Sequence, residues 1–126
     1  MLPRSHNRAY QDFITLLTNF GNFADDSLNR KEQFAIKQEF ESLQQWFEQH
    51  IDNLDHQGIE AAYIPRWQSI QREINREFKL LTTDILFFTS ARQNSTKAKR
   101  LKNINAHLNK LLNYCQGMLK EINNQE

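Results

Sequence analysis

Between positions 63 and 93 the apolar residues Trp67, Ile70, Ile74, Phe78, Leu81, Ile85 and Phe88 recur at steps of three and four. That spacing is one face of an amphipathic helix. The segment holds no glycine, and its single proline, Pro65, suits a first helical turn, where a missing N–H does no harm. At 1.5 Å per residue the helix would run to roughly 40 Å. Leu80 and Phe87 widen the stripe near its end, so partners are needed on more than one side. A helix over about 65–91 is therefore expected to be the pillar of a bundle.

Three further stretches share the pattern. In the first, about 5–21, Ser5 is a candidate N-cap, the stripe is Tyr10, Phe13, Leu17 and Phe20, and Gly21 is a plausible stop. Phe23 is expected under the next loop, and Asp25, Asp26, Ser27 and Asn29 read as a polar turn. A second helix, about 30–54, carries Ile36, Phe40, Leu43, Phe47 and Leu54, flanked by Phe34, Trp46 and Ile51. Ile59 and Ile64 would anchor the loop that follows. The last helix, about 97–123, is opened by Ser95 or Thr96. Its residues Leu101, Ile104, Leu108, Leu111, Cys115, Met118 and Ile122 form an unbroken heptad seam, usable inside a bundle or as a dimer face. Residues 1–126 are thus expected to fold as a single domain, an all-α, antiparallel up-down-up-down four-helix bundle with a long third helix. The chain's three glycines, two prolines and lack of valine weigh the same way, against sheet.

Net charge is only +1, but it is unevenly spread. Positions 22–62 hold nine acids against three bases, and positions 63–110 hold ten bases against three acids. The halves either attract one another within the fold or offer two distinct surfaces. A single cysteine, Cys115, rules out an internal disulfide and fits a reducing cytosol. The longest apolar run, Ile85 to Phe88, is far too short to span a membrane. A cytoplasmic location without membrane contact follows as the expectation.

Candidate chemistry is sparse. A di-iron bundle needs Glu-x-x-His pairs, and no glutamate here has a histidine three positions on. Glu73 and Glu77 flank arginines and read as solvated. His6, His50, His56 and His107 share no ligand spacing, and a histidine closing a helix complements its dipole. Cys115 lies on the apolar seam as a small hydrophobe, and no glycine-rich phosphate loop exists. No catalytic, cofactor-binding or metal-binding residue is nominated, and the expectation is a protein that is not an enzyme.

Two surface features stand out instead. Arg92, Lys97, Lys99, Arg100 and Lys102 cluster around the turn between the last two helices, several of them in first turns that the helix dipole makes unfavourable for cations. Arg66, Arg72, Arg76 and Lys79 extend positive charge along the pillar. Trp46, Leu86 and Phe87 either complete the core or form an apolar docking patch. The candidate partner-binding surface is Arg66, Arg76, Lys79, Leu86, Arg92, Lys97, Lys99, Arg100 and Lys102.

The segments Pro65 to Ile74, Thr83 to Phe88 and Ala91 to Gln93, together with Arg100-Leu101 and Leu111 to Gln116, resemble the cyanobacterial heterocyst-frequency-control family, PatD. The resemblance implies a small cytoplasmic regulator without enzymatic activity or cofactor. It also implies an influence on heterocyst number and on assembly of the tubulin-like division protein FtsZ. It supplies no binding motif to carry over, so the surface named above rests on charge and exposure alone. An acidic FtsZ would complement a basic, partly apolar helical face. A homodimer would present two such faces. Two rival readings remain, a nucleic-acid-binding regulator and a structural subunit of a larger assembly held by opposite charges. The first lacks a helix-turn-helix, an RNA-binding aromatic motif and zinc ligands.

Overall fold

The computed structural model describes residues 2–29 and 33–123. They form four α-helices and no strand: α1 (Arg4–Asn29), α2 (Gln33–His50), α3 (Ile64–Ser90) and α4 (Asn94–Asn123). A single 3-10 turn, Ala61–Tyr63, leads into α3. Pro65 occupies the first turn of α3, as its spacing predicts.

The direction of each helix is read from side-chain contacts. Phe20 meets Phe40 while Phe13 meets Phe47, so α1 and α2 run oppositely. Gln33 reaches the carbonyls of Phe88 and Ala91, whereas Phe47 stacks on Phe78, so α2 and α3 do likewise. Arg66 pairs with Glu121 and Arg100 with Asp84, which makes α3 and α4 antiparallel. The bundle is therefore up-down-up-down, and the α3–α4 contact is the most extensive in the fold.

One continuous core fills the bundle. Every member of the expected α3 stripe is buried, and so is the α4 seam apart from the half-buried Leu101. The seam therefore serves the interior. Phe78 is the centre of an aromatic cluster: Phe47 stacks parallel at 3.9 Å between ring centres, with Phe40 at 5.6 Å and Phe13 at 6.1 Å. Near the start of α3, Trp67 Nε1 donates to the Tyr10 hydroxyl at 3.0 Å. That hydroxyl donates to Gln71 Oε1 at 2.6 Å, and Gln71 Nε2 donates to the Ile51 carbonyl at 3.0 Å. Burial pushes the Tyr10 phenol and the Cys115 thiol well above their ordinary values, since neither anion would be solvated.

Several boundaries differ from expectation. α1 does not stop at Gly21 but continues to Asn29, so Asp25, Asp26, Ser27 and Asn29 are helical and form no turn. Ala24, buried one turn beyond Phe20, prolongs the stripe. A mid-helix glycine costs only about 1 kcal/mol, which such burial offsets. Phe23 consequently packs from the helix and not from a loop. Ser5 lies inside the first turn of α1, and α4 begins at Asn94, before the expected caps Ser95 and Thr96. The expected start of the second helix, Arg30, lies outside the described residues; its end comes at His50, ahead of Leu54. There the His50 ring donates from Nδ1 to the Trp46 carbonyl at 3.0 Å, the dipole-complementing role its position suggests. Leu80 and Phe87 do not join the core but stay exposed. They lie beyond the row of α3 that carries Glu77 and Asp84, and that row is where α4 docks.

Two glycines respond oppositely to a side chain. A Cβ on Gly21 would meet Leu108 Cδ1 at 3.5 Å, an ordinary contact. Gly58 has φ of 81° and its Cβ would come within 3.0 Å of Pro3. Gly21→Ala should therefore raise the unfolding free energy by up to about 1 kcal/mol, and Gly58→Ala should lower it by a similar amount; paired thermal melts check both. Because the folded state holds protons on Cys115 and Tyr10 that the unfolded chain releases, stability should fall as pH rises past the ordinary thiol value of 9.0. Urea titrations across alkaline pH would read that slope, and a thiol reagent should react with Cys115 only on unfolding.

Candidate functional site

The named surface residues do not form one face. Arg66 stands near the start of α3, roughly 30 Å along the helix axis from Leu86, and is engaged by Glu121. Its Nε and Nη2 donate to the Glu121 carboxylate at 2.7 and 3.0 Å. Those bonds hold Glu121 below the usual carboxylate range and raise Arg66 above its own ordinary value. Arg76 pairs with Glu73 one turn away on the same helix. Lys79 lines a shallow groove of about 370 Å³ between α2 and α3, with Glu48 and Asp52 among the lining residues and Phe47 and Phe78 beneath.

The other six are gathered at the α3–α4 end of the bundle. Arg92, Lys99 and Lys102 are exposed and Lys97 is half-buried, and none of the four forms an ion pair among the described residues. Near the same end of α3 Leu86 is 58% exposed and Phe87 47%. Trp46, the third member of the suspected apolar patch, is half-buried and packs against the core. Its ring lies 5.9 Å from that of Phe13 and 4.8 Å from that of His50.

Arg100 differs from its neighbours. Its Nη1 donates to Asp84 Oδ1 at 3.0 Å, and its guanidinium carbon lies 4.6 Å from the centre of the Phe87 ring. Asp84 in turn accepts from His107: its Oδ2 is 2.6 Å from Nε2. The other ring nitrogen, Nδ1, is 2.5 Å from Glu77 Oε1. Glu77 is only 2% exposed, so the reading of it as solvated is corrected. Glu73 stays half-exposed and pairs with Arg76.

The four side chains form a relay across the α3–α4 seam. The ring sits between the carboxylates and uses both nitrogens on them. Among the described residues no three acidic, histidine or cysteine side chains converge to hold a metal ion. The relay escaped a reading of single positions because Glu77, Asp84 and His107 each look like surface residues. Its signal lies in matched spacing. Glu77 and Asp84 are seven apart beside one stripe, and Arg100 and His107 are seven apart beside the other.

The opposite charges of the two halves do not neutralise one another locally. Glu39, Glu41, Glu48 and Asp52 on and just beyond α2 are exposed, and no ion pair among the described residues joins them to α3 or α4. The two charges meet only at the groove edge, where Lys79 lies with Glu48 and Asp52, and no described ion pair joins them there. Among the described residues no helix is long and apolar enough to cross a membrane. Comparison with family models, curated proteins and solved structures finds no match for this chain.

His107→Leu would leave buried Glu77 without its partner and take one of the two partners of Asp84. It should cost about 3–5 kcal/mol in a chemical unfolding titration. Adding Glu77→Met should recover a large part of that loss, because Asp84 keeps Arg100 and no buried charge is left alone.

Proposed function

We propose that this protein acts by binding and without catalysis, with the α3–α4 end of the bundle as its docking surface. The observation that carries the reading is a set of cations without ion-pair partners among the described residues, Arg92, Lys97, Lys99 and Lys102, at the end of the bundle that also exposes Leu86 and Phe87. Exposed apolar side chains amid unneutralised charge are a common makeup of interaction sites. An acidic partner complements it. The sequence resemblance to the heterocyst-frequency-control family points to FtsZ as that partner. On this reading the protein is a cytoplasmic regulator that modulates FtsZ assembly and, through it, cell division and heterocyst frequency. A homodimer would present two docking ends and could bridge filaments, raising effective concentration.

The cleanest probe avoids Arg100, whose reversal would place a third carboxylate against Asp84 and Glu77. Lys99→Glu/Lys102→Glu changes exposed positions only. In co-sedimentation with polymerised FtsZ, the wild type should pellet with the filaments and the double variant should stay in the supernatant, with unchanged thermal stability. Equal pelleting of the two would remove the basic end from the account.

A further inference from the structure

Among the described residues, Arg100 is the one cation at this end with an ion-pair partner inside the fold. One edge of its guanidinium is held by Asp84, and its face lies on Phe87. Asp84 is itself held by His107, and His107 by buried Glu77. An arginine carries five N–H donors in a rigid fork. Only the Nη1 contact to Asp84 meets a protein acceptor among the described residues, and no buried side-chain polar atom of the described structure lacks a partner. The remaining donors of this partly exposed side chain therefore face solvent. A stacked fork whose orientation is already set loses little entropy on taking a planar, two-oxygen anion. Lys97, one turn earlier on the same row of α4, adds charge, and Leu80 and Phe87 add exposed apolar surface on the α3 side.

We propose that Arg100, seated on Phe87 and braced by the Glu77–His107–Asp84 relay, is the anchor that receives a side-chain carboxylate from an acidic protein segment carrying neighbouring apolar residues. Asp84, His107 and Glu77 are positioning residues: they act through Arg100 and do not touch the partner. The proposal rests on the docking end described above and names the group that end recognises. A flexible lysine in the place of Arg100 would keep the charge and lose both the fork and the stack.

The test uses the whole chain and a capped peptide of alternating glutamate and leucine, followed by NMR at the Arg100 Nε–Hε resonance. That resonance should shift on titration with the peptide. Arg100→Lys and Phe87→Leu should each weaken peptide binding about tenfold or more at unchanged thermal stability, while Lys99→Arg should leave it as it is. In His107→Gln, at a temperature where that variant is folded, the free Arg100 resonance should broaden or average. A purely structural role for the relay would leave it sharp. Peptide binding that Arg100→Lys preserves would overturn the proposal. So would a shift of the Arg100 resonance by a single-stranded oligonucleotide but not by the peptide. Arg100-dependent peptide binding without FtsZ co-sedimentation would sustain the carboxylate anchor and discard FtsZ as partner. FtsZ binding indifferent to Arg100→Lys would do the reverse.

Discussion

Two carboxylates on α3 share one imidazole on α4, and an arginine closes the row. This arrangement constrains the bundle more tightly than any apolar contact does. Leucine and isoleucine seams tolerate small slides of one helix along another, because apolar contact is not directional. A buried carboxylate tolerates none, because a slide of one residue would leave it desolvated and unpaired. Glu77 opposite His107 and Asp84 opposite Arg100 therefore set the register of the longest interface. Arg66 with Glu121 continues the same register at the far end, exposed to water.

The other helices are located by different means. α1 is held through aromatic rings at mid-height and through the Tyr10 hydroxyl, which both accepts from Trp67 and donates to Gln71. α2 has the lighter contact with α3 and is tied at both ends by side chains reaching backbone carbonyls. Gln33 Nε2 donates to the Phe88 and Ala91 carbonyls at the end of α3; the Phe88 carbonyl also accepts from the Ala91 N–H. At the opposite end Gln71 reaches the Ile51 carbonyl. Polar side chains thus place the helix ends while rings fill the middle.

Because α4 approaches α3 on the charged row, the residues just beyond that row are pushed to the surface. Leu80 and Phe87 belong to the apolar arc of α3 yet find no interior to enter. Phe87 instead becomes the bed of Arg100. The internal register and the external surface are in this way linked: the relay that aligns the helices also holds Arg100, while Arg92, Lys97, Lys99 and Lys102 form no ion pair among the described residues.

The helical content, the buried stripes of α3 and α4 and the cation-rich turn were all legible in the sequence, because period and composition are local properties. Trp67, Ile74, Leu108 and Leu111 could be assigned to the interior from their spacing alone. Gly21 misled, since a glycine's preference for a helix end is weaker than the burial of Ala24 beyond it. Glu77, Asp84 and His107 were not legible one at a time, as a charged residue beside an apolar stripe faces water unless another helix covers it. Which helix covers it, and in what register, is settled only when the chain has folded. Periodicity determined that this chain makes four amphipathic helices and where its positive charge accumulates. Tertiary packing decided that one histidine would lie between two acids and that one arginine, of several in sequence, would be held still; burial turns such pairings from optional to obligatory.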